Sequence, residues 1–162
     1  MTRLKKAGSY ALAFAVSMAA TLIGMPALDA QGYGSLISMA RLEGKCVQLV
    51  MNGEDMSKGC HDMVSNSTHR DSRAGFMFTA KDVAVATFSG VEIDASIDVD
   101  KIIVTSLRNK EAPLVTIAAK GTCTYSDLRS GVADIFCSAT TNQGAFSGAF
   151  VTDGQPPRRD KF

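Results

Sequence analysis

The sequence predicts a small all-β domain, an antiparallel sandwich or barrel-like meander of hairpins with two disulfides, preceded by an N-terminal signal helix. Three observations predict this class. An apolar run occupies the first 30 residues, a hydrophobic period of two rather than 3.6 sets in from Lys45, and all four cysteines lie beyond the apolar run.

Residues 1–30 form a candidate secretory signal peptide. Three basic residues precede an apolar run from Tyr10 to Met25, and a small residue, Ala30, stands where a signal peptidase cleaves. The run is shorter than the roughly 20 residues that span a bilayer, which favours cleavage over an uncleaved membrane anchor. We therefore expect an exported mature form, periplasmic or secreted, that does not span a membrane.

The charge of the predicted mature chain limits its partners. Cleavage after Ala30 leaves 132 residues, enough for one domain, with 14 basic and 15 acidic side chains. A chain so balanced has no general electrostatic reason to bind nucleic acid or an anionic membrane. We expect no nucleic-acid partner.

The mature chain divides into three parts. Residues 31–44 are predicted to be a flexible or short helical lead-in, in which Leu36–Leu42 could form one helical turn or a first strand. Residues 45–152 form the disulfide-stapled β domain. Residues 153–162 are polar, contain two prolines and are expected to be a solvated tail.

Several strands are predicted within the β domain. The clearest alternation runs from Val91 to Asp100, with apolar residues on one face and mostly acidic residues on the other. Two Phe-Ser-Gly units, at 88–90 and 146–148, predict strand packing with a bend or bulge at glycine. The other predicted strands are Phe76–Thr79, Val83–Phe88, Lys101–Leu107, Leu114–Ala118, Thr122–Tyr125, Val132–Cys137 and Ala145–Val151.

The cysteines predict two disulfides, each between residues fourteen positions apart. An Asn-Gly turn at 52–53 stands midway in the first pair, and a turn-like segment at 126–131 stands within the second, so each pair should face across a hairpin. Each closed loop contributes about 3 kcal/mol in the chain-entropy model. The predicted pairs are Cys46–Cys60 and Cys123–Cys137.

The two histidines are the weak candidates for a metal site. His61 and His69, with Asp62, could supply two nitrogens and a carboxylate only if the intervening segment folded back on itself. Their spacing matches no zinc motif, so we expect both histidines on a polar loop. We expect no cofactor.

Asp94, Asp98 and Asp100 are the second weak metal candidate, because calcium prefers carboxylate oxygens. On one strand face these groups would lie about 6.6 Å apart in a row, which does not surround an ion. Alternatively, residues 98–101 form a hairpin turn that gathers two carboxylates. We expect a solvated strand face.

Motifs for covalent catalysis are not matched. Gly144–Gly148 misses the Gly-x-Ser-x-Gly pattern by one position and lies in a strand-like run, whereas that motif needs a strand-to-helix elbow. The sequence contains no phosphate loop and no dinucleotide-binding fingerprint. Enzymatic activity is therefore not predicted, and no catalytic residue is assigned.

The layout as a whole resembles small uncharacterised exported proteins of Gram-negative α-proteobacteria. The resemblance rests on a signal peptide, Gly-x-Cys, an Asn-Gly turn, Phe-x-Phe-Thr, Phe-Ser-Gly and the C-terminal segment from Ala133 to Gly148. It spans most of the mature chain. It implies a periplasmic or secreted location and implies no activity.

Three functions remain open at this point. The first is an exported, non-enzymatic binding or accessory protein of the cell envelope, whose loops contact an envelope or extracellular protein. The second is a secreted inhibitor of a hydrolase of the lysozyme or protease type. The third is a metal-dependent hydrolase that uses His61, Asp62 and His69.

Overall fold

The computed structural model describes residues 36–109, 113–129 and 131–162, so the candidate signal helix at 1–30 lies outside the described residues. The described chain forms ten strands and one turn of 3-10 helix at Ser57–Gly59. The predicted all-β class with two disulfides is confirmed. The strands are β1 (Leu36–Met51), β2 (Glu54–Asp55), β3 (Met63–His69), β4 (Arg73–Ala80), β5 (Ala84–Ile93), β6 (Ser96–Ser106), β7 (Val115–Tyr125), β8 (Asp134–Thr141), β9 (Ala145–Thr152) and β10 (Arg158–Lys161).

Eight of the strands close into an antiparallel barrel. The order is β1-β3-β4-β5-β6-β7-β8-β9, and β9 pairs back onto β1. The predicted meander of hairpins is confirmed, and of the two predicted architectures the structure shows the barrel. Closure provides backbone partners along both sides of the barrel strands, which an open sheet of this size lacks at its edges.

Strand β1 is long enough to pair with two different strands along the same edge. Its second half pairs with β9 from Gly44 opposite Thr152 to Val50 opposite Ser147. Its first half pairs on the same side with β10, where Ser38 lies opposite Lys161. The register with β9 shifts between Cys46 and Gln48, so a bulge marks this part of the strand.

Aromatic side chains fill the barrel. Phe76, Phe78, Phe88 and Phe150 are all at most 1% exposed, and the rings of Phe78 and Phe88 meet edge to face with centroids 5.7 Å apart. Burying each such side chain contributes about 1.5–3 kcal/mol. Gly148 faces the ring of Phe78, because a Cβ there would lie 2.7 Å from that ring. The barrel therefore has a packed core.

Both predicted disulfide pairings are confirmed. Cys123 lies directly opposite Cys137 across the β7–β8 hairpin, with 4.0 Å between their Cα atoms. The Cα atoms of Cys46 and Cys60 are 5.9 Å apart. Cys60, however, follows the 3-10 turn, and its backbone forms an isolated antiparallel β-bridge with Ala80 of β4. The predicted facing across a hairpin is thus right for the second pair only.

The prediction of one strand from Val91 to Asp100 is wrong. A two-residue turn at Asp94 and Ala95 joins β5 to β6, so Ile93 pairs with Ser96. The alternative turn at residues 98–101 is wrong as well, because those residues lie within β6. Aspartate tolerates the left-handed conformation that such a turn requires, and Asp94 has φ 55°.

This turn changes the face on which the alternating residues lie. Paired residues share a face of the sheet, so Glu92 shares the inward face with its partner Ile97, whereas Val91 and Asp98 share the outward face. Ile97 is accordingly 0% exposed and Val91 is 40% exposed. The apolar alternation continues through the turn in sequence and switches face in space.

The predicted boundaries of the β domain are also wrong. Residues 36–44, assigned to the flexible or helical lead-in, belong to β1, which settles the open choice at Leu36–Leu42 in favour of a strand. Residues 158–161, assigned to the solvated tail, form β10. These residues are exposed as predicted, yet their backbone pairs with β1, which no hydrophobic pattern in the tail indicates.

Candidate functional site

The two ends of the barrel carry different segments. At one end, here called the mouth, lie the turns at 70–72 and 94–95 and the segment 126–129. At the other end, here called the base, lie the segment 52–62 and the turns at 81–83 and 142–144. Because the barrel is an antiparallel meander, successive connections alternate between these two ends.

The wall of the barrel is incomplete at the mouth, beside β10. Strand β10 pairs with β1 and has no second strand neighbour in the described part of the chain. The N–H of Phe162 donates to the C=O of Ile37 at 3.1 Å. By the alternation of an antiparallel ladder, the backbone N–H and C=O of Arg159 and Lys161 point away from β1.

A depression of about 470 Å³ opens at the mouth. Its walls come from five separate stretches of the chain, and Arg159 places it next to the unpaired edge of β10. This volume lies within the range of small-molecule sites. The lining residues are Ser38, Asn66, Thr68, Glu92, Asp94, Ala95, Tyr125, Ser126, Asp127, Leu128, Arg129 and Arg159.

Tyr125 and Glu92 contact each other directly in the depression. The Tyr125 hydroxyl donates a hydrogen bond to the Glu92 carboxylate, and its ring packs edge-on against Phe76 with centroids 5.2 Å apart. Burial and the hydrogen bond to Glu92 raise the pKa of Tyr125 well above its usual range. Tyr125 is therefore a neutral donor, and its ring joins the depression to the aromatic core.

The inward face of the barrel becomes polar near the mouth. Asn66 pairs with Phe76 across β3 and β4, and Thr68 pairs with Ala74, so both side chains share the inward face with buried neighbours. The Asn66 amide donates to the C=O of Gly75 at 3.3 Å. Its side-chain oxygen remains available as an acceptor, so this layer can hydrogen-bond a polar molecule.

Charges of both signs line the depression. Two guanidinium groups belong to Arg129 and Arg159, and the carboxylates belong to Glu92, Asp94 and Asp127. The Asp127 carboxylate also accepts from the backbone N–H of Arg129 at 2.9 Å, which orders this part of the wall. A site of this kind can bind an anionic and a cationic group at the same time.

The structure does not bring the predicted metal ligands together. His61 and Asp62 lie at the base, whereas His69 ends β3, and a seven-residue strand is about 20 Å long. Among the described residues, no group of three histidine, cysteine or acidic side chains could hold a metal ion. Asp62 instead accepts from the N–H of Cys46 at 3.0 Å and from Lys45 at 3.1 Å. These contacts lower its pKa.

The three predicted calcium ligands likewise lie in different surroundings and do not form one site. Asp94 lines the mouth, and Asp98 is exposed on the outward face of β6. Asp100 forms a two-pronged ion pair with Arg73, with N–O distances of 2.5 and 2.8 Å. The hydrogen bonds from Arg73 lower the pKa of Asp100. Asp98 and Asp100 do lie on the predicted solvated face of β6, where both are exposed.

A second concave surface, of about 320 Å³, lies on the outer wall of the barrel. It is largely apolar and includes His69 at its margin. Its other lining residues are Leu36, Met39, Ser67, Met77, Val85, Thr87, Ile103, Thr105 and Leu114. His69 is partly buried because it contributes to this surface. The predicted position on a polar loop does not explain that burial.

Sequence reasoning did not identify the mouth. Its residues come from β1, β3, β5, β7, β10 and two connections, so no short motif contains them. The sequence pattern predicts Glu92 on the outer acidic face and Arg159 in the solvated tail. A turn at Asp94 puts Glu92 on the inward face, but the alternating pattern does not indicate that turn. No sequence pattern indicates the position of Arg159.

Comparison with known proteins finds no matching family model, no matching curated protein and no matching solved structure. Within the described residues, no helix is long and apolar enough to cross a membrane. Only the geometry and chemistry of the described residues therefore bear on function.

Proposed function

We propose that the protein is an exported, non-enzymatic binding protein that holds a short peptide-like zwitterion at the mouth of its barrel. The observation that carries this proposal is the polar depression of about 470 Å³ beside the unpaired edge of β10. The packed aromatic core leaves the end of the barrel, not its interior, as the place for a ligand.

The charges of the mouth favour a ligand with both an ammonium and a carboxylate. Arg129 and Arg159 can each donate two parallel hydrogen bonds to a carboxylate. Glu92 and Asp94, across the mouth on the β5–β6 hairpin, can accept from an ammonium group. A purely apolar ligand would leave these groups desolvated without partners, at a cost of about 1–3 kcal/mol each.

The edge of β10 favours a peptide-like backbone between the two charges. The outward N–H and C=O of Arg159 form the hydrogen-bonding pattern that an extended peptide uses when it adds to a sheet. All four side chains of β10 are charged, which opposes pairing between two copies of this edge. A short ligand with complementary charges is not opposed in this way.

Two further features support the non-enzymatic and exported parts of the proposal. Tyr125 is held neutral by burial and by Glu92, so it is suited to donating a hydrogen bond rather than to attacking a substrate. The two disulfides fit an oxidising compartment.

The test is a titration of the ¹⁵N-labelled chain 31–162 with Ala-Ala, followed by amide chemical shifts. We expect shifts confined to the mouth and to β10. N-acetylated Ala-Ala and Ala-Ala amide, which each lack one charge, should bind at least 10-fold more weakly, a loss of about 1.4 kcal/mol.

The matched pair of variants is Arg159→Gln and Arg158→Gln. Arg159 lines the mouth, whereas its neighbour Arg158 does not. Arg159→Gln should weaken binding about 10-fold or more, and Arg158→Gln should leave it unchanged. Equal effects of the two changes, or no shifts with any zwitterion, would contradict the proposal. Inhibition of a lysozyme or a protease by a chain that binds no peptide would favour the inhibitor hypothesis instead.

A further inference from the structure

We infer that the Cys46–Cys60 disulfide is a site of thiol–disulfide exchange, attacked by small-molecule thiols at the sulfur of Cys60. This site lies at the base of the barrel, away from the mouth, and does not depend on the proposed ligand. Two independent observations carry the inference: the partial exposure of Cys60 in a concavity and the charged residues that line the same concavity.

Only one of the four cysteines is open to solvent. Cys60 is partly exposed and lines a concavity of about 260 Å³ at the base. Cys46 is 8% exposed, and Cys123 and Cys137 are both 0% exposed. Because exchange requires an approach along the S–S bond, a dissolved thiol can approach this disulfide from the partly exposed Cys60, whereas the buried Cys123–Cys137 bond is closed to it in the folded protein.

The surroundings of Cys60 favour an anionic attacking group. Lys58, Lys81 and His61 line the same concavity. The one carboxylate of this lining, Asp62, is already bonded to the N–H of Cys46 and to Lys45. Two lysines in this concavity attract a thiolate and favour the negative charge that spreads over three sulfurs during exchange.

The exchange balances without any oxidant. The electron pair of the incoming thiolate forms a bond to the Cys60 sulfur, the Cys46–Cys60 bond breaks, and Cys46 leaves as a thiolate that takes a proton from solvent. The product is a mixed disulfide on Cys60. Cys46, whose Cα lies 5.9 Å from that of Cys60, can then attack this mixed disulfide, restore the original bond and release the thiol.

The folded base can persist through this reaction, because backbone hydrogen bonds hold the segment independently of the disulfide. The N–H of Met56 donates to Leu49 at 2.8 Å, and the N–H of His61 donates to Thr79 at 2.9 Å. The N–H of Lys81 donates to Gly59 at 2.7 Å. We therefore expect local opening of one disulfide and no global unfolding.

The first test treats the native protein with glutathione, quenches with acid and maps the adducts by mass spectrometry. We expect the glutathione adduct on Cys60 and an intact Cys123–Cys137 bond. An adduct mainly on Cys46, or opening of both disulfides at equal rates, would overturn the inference.

The second test compares free thiols under native conditions. Cys46→Ser leaves Cys60 free, Cys60→Ser leaves Cys46 free, and Cys123→Ser leaves Cys137 free. With 5,5′-dithiobis(2-nitrobenzoate), Cys60 should react at least 10-fold faster than either of the others, with circular dichroism confirming a folded barrel. Similar rates would contradict the inference, and a variant that does not fold is replaced by the adduct map of the native chain.

The electrostatic part is tested separately with lysine variants of the native disulfide. Lys58→Gln combined with Lys81→Gln should slow exchange with glutathione several-fold, whereas Lys120→Gln, on β7 and outside the concavity, should not. An unchanged rate in the double variant would show that the lysines do not promote the attack.

Discussion

Replacing Gly148 with alanine should destabilise the barrel by about 1–3 kcal/mol, the usual cost of overpacking a core. A Cβ at this position would lie 2.7–2.8 Å from three ring carbons of Phe78. Real Cβ atoms do not approach so closely, and Phe78 is 1% exposed and packed against Phe88. Neither the ring nor the strand can shift without disturbing other buried groups.

A double-mutant cycle with Phe78→Leu tests the cause. Phe78→Leu removes the ring atoms that clash and should by itself cost about 1–3 kcal/mol, because it leaves a cavity. In the double variant, the new methyl group of Gly148→Ala occupies part of that cavity. The combined loss should therefore be smaller than the sum of the two single losses by at least about 1 kcal/mol.

The assay is urea denaturation with disulfides intact, followed by far-ultraviolet circular dichroism. Gly59→Ala is the control, because a Cβ there meets only the N of Lys81 at 3.9 Å. This control should change stability by no more than about 0.5 kcal/mol. Additive losses within about 0.5 kcal/mol in the cycle, or an unaffected Gly148→Ala, would refute the proposed contact with Phe78.

Two further predictions concern the ion pair and the disulfides. Asp100→Asn should cost up to about 1 kcal/mol at pH 7, since Asp100 is 55% exposed and solvent screens the pair. The pKa of Asp100 is lowered by Arg73 from 3.8, so this stabilisation is present above pH 3.8 and should disappear as the pH falls through the lowered pKa. Urea denaturation from pH 7 to pH 2.5 checks this, and a difference that grows on acidification would contradict it. Cys123→Ser should lower the melting temperature more than Cys46→Ser: both loops span 14 positions, about 3 kcal/mol each, but only the former buries a new hydroxyl at a fully buried site. Equal melting temperatures would contradict the added burial cost.

Glu92 shows how a correct local pattern can give a wrong face. The period of two from Val91 onward is real, and each residue does alternate between the two faces of a strand. The two-residue turn at Asp94 pairs Ile93 with Ser96, which exchanges the parity of inward positions. Because Asp94 adopts a positive φ in this turn, Glu92 lies at the mouth and not on the predicted outer surface.

The amino-acid sequence by itself determined the strand content, the meander and both disulfide pairings. These depend on short-range properties: the alternation of side chains, turn residues such as Asn52-Gly53, and equal separations between cysteines. Each can be evaluated within about fifteen residues of chain, where the number of competing arrangements is small.

Only the tertiary structure decided where the barrel closes and what its mouth contains. Pairing of β1 with β9 and β10 joins residues 97 to 123 positions apart, and their strand-forming patterns are compatible with many other partners. The same closure brought Arg159 into the same depression as Tyr125, whereas strand β3 by itself separates His61 from His69. Long-range backbone pairing, which leaves no local sequence pattern, therefore created the candidate site.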